Sequence, residues 1–198
     1  MIKKKLALLI LRILGWNIVG NIPENTPKCV VMMAPHTSNI DFLYGWLGYC
    51  SLGYSSYFLI KKEAFNRFTG PILRAMGGIP VDRGHSGNIV HQLTEEFQRR
   101  SEIILTITPE GTRRHNRNWK RGFYFLAHSA GVPVVMGFLD YGKKEGGFGP
   151  AFYPSGDYDA DLLMITGFYK DKKARFPENF GLPGRVESFV SENKNPEK

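Results

Sequence analysis

The residues best suited to chemistry in this sequence are a histidine and an aspartate five positions apart, His36 and Asp41. Histidine titrates near neutral pH, so its neutral ring can accept the proton of a substrate hydroxyl. A carboxylate beside the ring can fix its tautomer and stabilise the imidazolium that forms. On a continuous helix, positions five apart point about 140° away from each other. The two side chains can therefore meet only if the chain turns between them, with His36 in a loop and Asp41 in the first turn of a helix.

The sequence around this pair predicts such a turn. The apolar run 29–33 is typical of a buried strand and is closed by Pro35. Ser38 is suited to cap the helix that follows, which would place Asp41 at its third position. The same spacing is that of a capping box, so a purely structural role for Asp41 stays open. For His36, the structural alternative is a loop histidine without a chemical role.

A second chemically suggestive segment follows the apolar run 103–107 and reads Thr-Pro-Glu-Gly-Thr-Arg over residues 108–113. Its proline and glycine occupy the first inner and the last positions of a type I turn. This predicts a tight turn at a strand end that presents Glu110 and Arg113 together. The structural alternative is a surface ion pair, which is worth about 0–1 kcal/mol.

Two further segments read as short strands. Residues 77–84, Gly-Gly-Ile-Pro-Val-Asp-Arg-Gly, would deliver Arg83 at a strand end, and residues 131–135 read Gly-Val-Pro-Val-Val. The order His-x4-Asp, Gly…Arg, Pro-Glu-Gly-Thr-Arg and Val-Pro-Val resembles the 1-acylglycerol-3-phosphate (lysophosphatidate) acyltransferase family. The common family pattern has asparagine where this chain has Pro35 and proline where it has Met136, which suggests a side branch whose acceptor differs.

The resemblance implies a site as well as an activity. His36 would be the general base and Asp41 its partner. The implied acceptor-binding residues, with two that shape the turn, are Arg83, Glu110, Gly111, Thr112 and Arg113. No metal-ligand spacing occurs in the sequence, and no cofactor is expected beyond the acyl donor. No activated serine or cysteine is evident, so no acyl-enzyme is expected, and backbone N–H groups near His36 are candidate oxyanion donors.

The implied reaction moves a fatty acyl group from a coenzyme A or acyl-carrier-protein thioester to a glycerolipid hydroxyl. The expected acceptor is 1-acylglycerol 3-phosphate, which would give phosphatidic acid. Glycerol 3-phosphate or a lyso-aminolipid would suit the same chemistry. A catalytically silent lipid-binding protein is the alternative from another functional class.

The order of elements predicts an α/β fold. Strand candidates at 29–33, 56–60, 79–81, 103–107, 132–138 and 148–153 alternate with helical stretches, of which 86–100, 120–130 and 158–169 are the clearest. Alternation of this kind predicts a single domain with a mostly parallel or mixed central sheet and helices on both faces. Loops that follow parallel strands gather at one edge of the sheet. Residues 140–198 carry no recognised motif.

The N-terminus predicts a membrane-associating segment. Three lysines at 3–5 precede a leucine-rich run that is too short to span a bilayer. Arg12 interrupts the run and no Ala-x-Ala site follows, which disfavours a signal peptide. We therefore interpret residues 1–16 as an amphipathic interfacial helix and 17–198 as the catalytic domain, peripheral to the cytoplasmic side of the cell membrane. A helix packed against the protein core is the alternative.

The charge of the chain favours anionic partners. It carries 26 basic and 18 acidic residues, a net charge of +8. Basic residues are densest at 113–121, where Lys120 lies at the predicted start of a helix and is suited to contact a phosphate. No nucleic-acid-binding motif is present, so a lipid phosphate or coenzyme A is the expected anion and nucleic acid is not.

Overall fold

The computed structural model describes residues 2–81 and 86–183. The strands are β1 (Asn17–Val19), β2 (Lys28–Met33), β3 (Ser56–Lys61), β4 (Gly78–Val81), β5 (Ile103–Ile107), β6 (Val134–Asp140) and β7 (Glu145–Phe152). The helices are α1 (Ile2–Ile13), α2 (Ile40–Leu52), α3 (Thr69–Ala75), α4 (Ser86–Arg99), α5 (Gly122–Ala130) and α6 (Tyr158–Tyr169). The strands form one seven-stranded sheet in the order β1-β7-β6-β2-β5-β3-β4.

Strand direction determines where the loops collect. The strands β2, β3, β4, β5 and β6 are parallel to one another. The strand β7 is antiparallel to β6, and β1 is parallel to β7. The five parallel strands therefore end at the same edge of the sheet, which we call the carboxyl edge. The loops after β2, β5 and β6 begin there side by side, because these strands are neighbours. Such an edge is where open α/β sheets bind ligands.

The central strand β2 is buried on both faces. Val30 and Met32 belong to the core formed with α4, α5 and α6, whereas Cys29, Val31 and Met33 belong to the core formed with α2. Successive side chains of a strand point to opposite faces, so a strand covered on both sides must be apolar throughout. This explains the uninterrupted run 29–33 and confirms the predicted α/β fold with helices on both faces.

Two small elements were not predicted from the sequence. The strand β1 has three residues, and α3 has seven, which include a glycine and a proline near its start. Elements this short carry little periodicity, and glycine and proline weaken a helical pattern. The predicted helices elsewhere match closely, except that α5 begins at Gly122 and not at Lys120.

The N-terminal helix α1 lies against α2 on the outside of the domain. Ala7 and Leu11 are buried in this contact, and Nζ of Lys4 donates to the carbonyl oxygen of Leu52 at 3.4 Å. A second stripe on α1 stays exposed, comprising Ile2, Leu6, Leu9 and Ile13. Within residues 2–81 and 86–183, no helix has the length and apolar character needed to cross a bilayer.

Candidate active site

His36 and Asp41 meet in the loop between β2 and α2. Nδ1 of His36 lies 3.4 Å from Oδ2 of Asp41, and the side chains are 15% and 2% exposed. This distance exceeds that of an ordinary N–H···O hydrogen bond, so the contact is mainly one between an imidazole and a neighbouring charge. With Nδ1 directed at the carboxylate, Nε2 is the ring nitrogen left to accept a proton.

The carboxylate of Asp41 also organises the loop. Its Oδ2 accepts hydrogen bonds from the backbone N–H groups of Thr37 at 2.9 Å and Ser38 at 2.8 Å. Asn39 precedes α2, but it already has helical backbone angles and makes no capping bond with its side chain. Ser38 makes the capping bond, because its Oγ accepts from the Ile40 N–H at 3.3 Å, and this confirms the predicted cap. The bond from the Ser38 N–H to Asp41 is the other half of a capping box, so Asp41 has the structural role that its spacing predicted as well as its contact with His36.

A tyrosine from the neighbouring loop completes the surroundings of Asp41. The hydroxyl of Tyr141, the first residue after β6, donates to Oδ1 of Asp41 at 2.6 Å. Burial alone would raise the pKa of Asp41, but the interaction with His36 and the hydrogen bonds from Tyr141 and Ser38 outweigh it and lower the pKa below its usual value. Asp41 is therefore an anion at neutral pH and can stabilise a protonated His36.

Glu110 approaches His36 from the other side. The predicted turn forms, because the Gly111 N–H donates to the carbonyl of Thr108 at 3.2 Å. However, the Glu110 side chain is fully buried, and its Oε1 accepts from the backbone N–H of His36 at 2.7 Å. Arg113 is exposed, so the prediction that the turn presents these two side chains together was wrong. Glu110 fixes the backbone of His36 from within the protein.

The protonated form of Glu110 is favoured at neutral pH. Burial raises its pKa to about 8, with the Asp41 charge adding to the effect and the His36 N–H bond opposing it. Among the described residues, its Oε2 is the one buried side-chain oxygen or nitrogen without a hydrogen-bond partner. A protonated carboxyl tolerates this better than a carboxylate, since an unpaired buried charge is far more costly.

The remaining predicted residues lie around the Glu110 turn. Gly111 has a φ of 66°, and a Cβ on it would lie 2.8 Å from Cε of Lys120. Only glycine adopts this conformation without strain and leaves room for the lysine stem. Thr112 accepts a hydrogen bond from the backbone N–H of Arg114 at 3.3 Å, which shapes the same loop. Lys120 is exposed beside this turn, and Arg83 lies outside the described residues.

Comparison with known proteins identifies the family and a similar fold. A family model described as Acyltransferase matches residues 17–136, the segment that carries His36, Asp41 and Glu110. The chain belongs to the acyltransferase family. Its fold is similar to the crystal structure of the 1-acyl-sn-glycerophosphate (LPA) acyltransferase PlsC from Thermotoga maritima. That match has a TM-score of 0.54 and 16% identity, and it covers 87% of this chain and 80% of that one. No curated protein matches the sequence significantly.

The family predicted from the four sequence blocks is thus confirmed, and the chain is an acyltransferase-type enzyme. Two features bear on how such an enzyme works. The backbone N–H groups of His36, Thr37 and Ser38 all donate to carboxyl oxygens, so these three are not free oxyanion donors. Burial raises the pKa of the Cys29 thiol to about 12, which makes this cysteine a poor nucleophile.

Sequence reasoning missed Tyr141 in this acyltransferase. Residues 140–198 showed no motif, because a single tyrosine after an apolar run has no distinctive spacing. The one useful signal was its position: it follows β6, the neighbour of β2 at the carboxyl edge. Trp16 stacks on Tyr44 at 4.5 Å and meets Tyr141 edge-on at 4.9 Å. The tyrosine that bonds Asp41 is therefore held by aromatic packing with the segment that follows α1.

Proposed function

We propose that this acyltransferase transfers a fatty acyl group from a coenzyme A or acyl-carrier-protein thioester to the hydroxyl of 1-acylglycerol 3-phosphate. The product would be phosphatidic acid. The observation that carries the proposal is Nδ1 of His36 facing an anionic Asp41 at the carboxyl edge. The similar fold of the Thermotoga maritima protein, a 1-acyl-sn-glycerophosphate acyltransferase, supports this choice of acceptor.

The chemistry assigned to His36 is proton transfer. Nε2 takes the proton of the acceptor hydroxyl as its oxygen attacks the thioester carbonyl, and Asp41 stabilises the resulting imidazolium. The tetrahedral oxyanion then collapses, the carbon–sulfur bond breaks, and the imidazolium returns its proton to the departing thiolate. Glu110 holds the His36 backbone without contacting substrate, because its carboxyl group is fully buried.

Arg113 and Lys120 supply positive charge beside the site, and we propose that they contact the acceptor phosphate together with Arg83. Both described side chains are exposed at the Glu110 turn, directly after the strand next to β2. An arginine fork suits phosphate oxygens. Glycerol 3-phosphate and lyso-aminolipids are the competing acceptors, since each presents a free hydroxyl near an anionic group.

The decisive experiment is an acyl-transfer assay with a panel of acceptors. Purified protein would be incubated with acyl-CoA or acyl-carrier protein and with 1-acylglycerol 3-phosphate, glycerol 3-phosphate or a lyso-aminolipid. We expect transfer to 1-acylglycerol 3-phosphate, reduced about 10²–10⁴-fold in His36→Ala. Preference for another acceptor would support acyl transfer as the reaction but would show that 1-acylglycerol 3-phosphate is not the substrate. No transfer to any acceptor would leave the silent lipid-binding alternative.

We also propose that α1 places the enzyme on the cytoplasmic surface of an anionic membrane. The exposed stripe of Ile2, Leu6, Leu9 and Ile13 adjoins three lysines at 3–5. An apolar stripe with neighbouring lysines is typical of an interfacial helix. Because Ala7 and Leu11 pack on α2, the helix would lie on the membrane while staying attached to the domain.

A matched pair of leucines tests the membrane proposal. Leu9 on α1 and Leu163 on α6 are 54% and 52% exposed. Changing either leucine to aspartate therefore removes a similar area of exposed apolar surface. We expect Leu9→Asp to weaken co-sedimentation with phosphatidylserine-containing vesicles, and Leu163→Asp to leave it unchanged. Equal binding by both variants would assign membrane contact to another surface.

A further inference from the structure

The chain after α6 forms a positively charged segment across the carboxyl edge, which we call the basic strap, residues 170–176. It contains four basic residues and one acidic residue, Asp171. The carbonyl of Lys173 accepts from the Tyr141 N–H at 2.8 Å, and the Phe176 N–H donates to Oγ1 of Thr37 at 3.2 Å. These bonds attach the strap both to the residue that follows β6 and to the loop that carries His36.

The basic side chains of the strap differ in their surroundings. Lys172 is engaged, because its Nζ lies 4.2 Å and 4.9 Å above the rings of Phe138 and Phe168. Arg175 is exposed, and its guanidinium lies 5.6 Å above the ring of Phe176. Within the part of the chain that the structure describes, no carboxylate forms a salt bridge with Arg175. Burial and the Asp41 carboxylate raise the pKa of the Tyr141 phenol, and the nearby positive charge of Arg175 opposes that rise.

Sheet order places the strap and the Glu110 turn on opposite sides of His36. The strap lies over the end of β6 and the turn follows β5, and these two strands flank β2. The reaction needs two anionic substrates to meet at His36. If the acceptor phosphate binds on the β5 side, near Arg113, the donor must approach from elsewhere. On the β6 side, Arg175 is a cation with no carboxylate partner among the described residues. The next residue, Phe176, bonds directly to the loop that carries His36.

We infer that the basic strap binds the phosphate of the phosphopantetheine arm of the acyl donor, with Arg175 as its main contact. This inference rests on the proposed function, because it needs a phosphate-bearing thioester. Coenzyme A and acyl-carrier protein share this phosphopantetheine phosphate, so the chemistry that recognises it is the same for either donor. The fork of Arg175 is suited to two phosphate oxygens, whereas a neutral side chain at this position is not.

The test compares Arg175→Gln with Arg99→Gln, which removes the same charge from an exposed arginine on α4. We expect Arg175→Gln to raise the donor KM about tenfold with acyl-CoA and with acyl-carrier protein, and to leave kcat and the acceptor KM nearly unchanged. Arg175→Lys should recover part of the loss, and Arg99→Gln should behave as the wild type. An effect with one donor alone would overturn the assignment, because Arg175 would then contact a part of that donor other than the phosphate that both donors share.

Calorimetric titration with free coenzyme A gives a readout that does not depend on turnover. The wild-type protein could transfer no acyl group and still bind coenzyme A more tightly than Arg175→Gln does. That result would support the strap as a phosphate site while the proposed function fails. Active wild-type enzyme with an unchanged donor KM in Arg175→Gln would overturn the strap assignment and leave the function standing. A rise in the acceptor KM alone would also overturn it, because the strap would then serve the acceptor.

Discussion

The molecule contains two aspartates with nearly the same local structure and different neighbours. Asp41 begins α2 and accepts from Tyr141 at 2.6 Å and from the Ser38 N–H at 2.8 Å. Asp161 lies in the first turn of α6 and accepts from Tyr124 at 2.7 Å and from the Ser155 N–H at 2.8 Å. In both, burial raises the pKa, but the hydrogen bonds outweigh it and lower the pKa.

Position in the sheet separates the two carboxylates. Asp41 follows β2 at the carboxyl edge, whereas Asp161 follows β7, which runs antiparallel to β6 and ends at the opposite edge. Only Asp41 has a histidine as an ion-pair partner among the described aspartates. A capping arrangement therefore does not by itself indicate a site. Asp41 can take part in a reaction because the loop after the parallel strand β6 places Tyr141 beside it, and its own loop places His36 beside it.

The largest expected difference between the two regions is in activity. We expect Asp41→Asn to lower kcat about 10²-fold or more, because the neutral amide cannot stabilise the imidazolium. Asparagine keeps an oxygen that can accept from Thr37 and Ser38, so the fold should persist. Steady-state acyl transfer, with circular dichroism to check folding, measures this.

Asp161→Asn is the matched control, since it removes the same kind of charge from a similar network away from His36. It should leave kcat within about twofold, while the stability losses of the two variants should be comparable. If the Asp41 variant kept normal turnover, the role of Asp41 would be reduced to organising the loop.

Glu110 provides a second contrast, this time in the pH dependence of stability. Its folded pKa is raised from an ordinary value of 4.5 to about 8. Between these values the native state binds more protons than the unfolded chain, so this residue makes the free energy of unfolding fall as pH rises. Its favourable contribution is complete below about pH 4.5 and is lost by about pH 8.

We expect Glu110→Gln to remove that dependence while keeping an oxygen for the His36 N–H. Urea unfolding at several values from pH 5 to 8 should show the wild type losing stability relative to the variant by up to about 1.4 kcal/mol per pH unit. Asp41 has a lowered pKa and acts at lower pH, so it does not mask the effect. Parallel stability curves for the two proteins would mean that Glu110 is not protonated in the folded state.

The sequence predicted those features that depend on local pattern. The apolar run 29–33 predicted a buried strand, and Pro109 with Gly111 predicted the turn at 108–111, which forms. The spacing of His36 and Asp41 required a turn between them, and the chain makes one. Each of these follows from a few consecutive residues whose conformational preferences agree.

The features that the sequence did not predict depend on contacts between distant segments. The direction of the Glu110 side chain is set by an N–H that lies 74 positions away in the chain, at His36. Tyr141 reaches Asp41 across 100 positions, and the basic strap reaches Thr37 across 139. Sheet order brings these segments together, and no local motif encodes it.

The smallest effect we expect concerns Tyr141. In Tyr141→Phe, the ring can still pack against Trp16 while the hydrogen bond to Asp41 is lost. Loss of one donor to a carboxylate is worth about 1.5 kcal/mol, so we expect a change in kcat/KM of no more than about tenfold. Without the Tyr141 hydrogen bond, the negative charge of Asp41 would stabilise the protonated ring of His36 more strongly. The acid limb of the pH profile of kcat/KM should therefore move to higher pH.

Tyr124→Phe separates this positioning effect from a general loss of stability. It removes the equivalent bond to Asp161 at 2.7 Å and leaves the carboxyl edge intact. We expect both phenylalanine variants to show a similar fall in melting temperature, but only Tyr141→Phe to shift the pH profile. A coincident shift in both would indicate that the profile reports global stability. An unshifted profile in Tyr141→Phe would mean that its hydroxyl does not tune the charge next to His36, and that its contribution is confined to packing with Trp16.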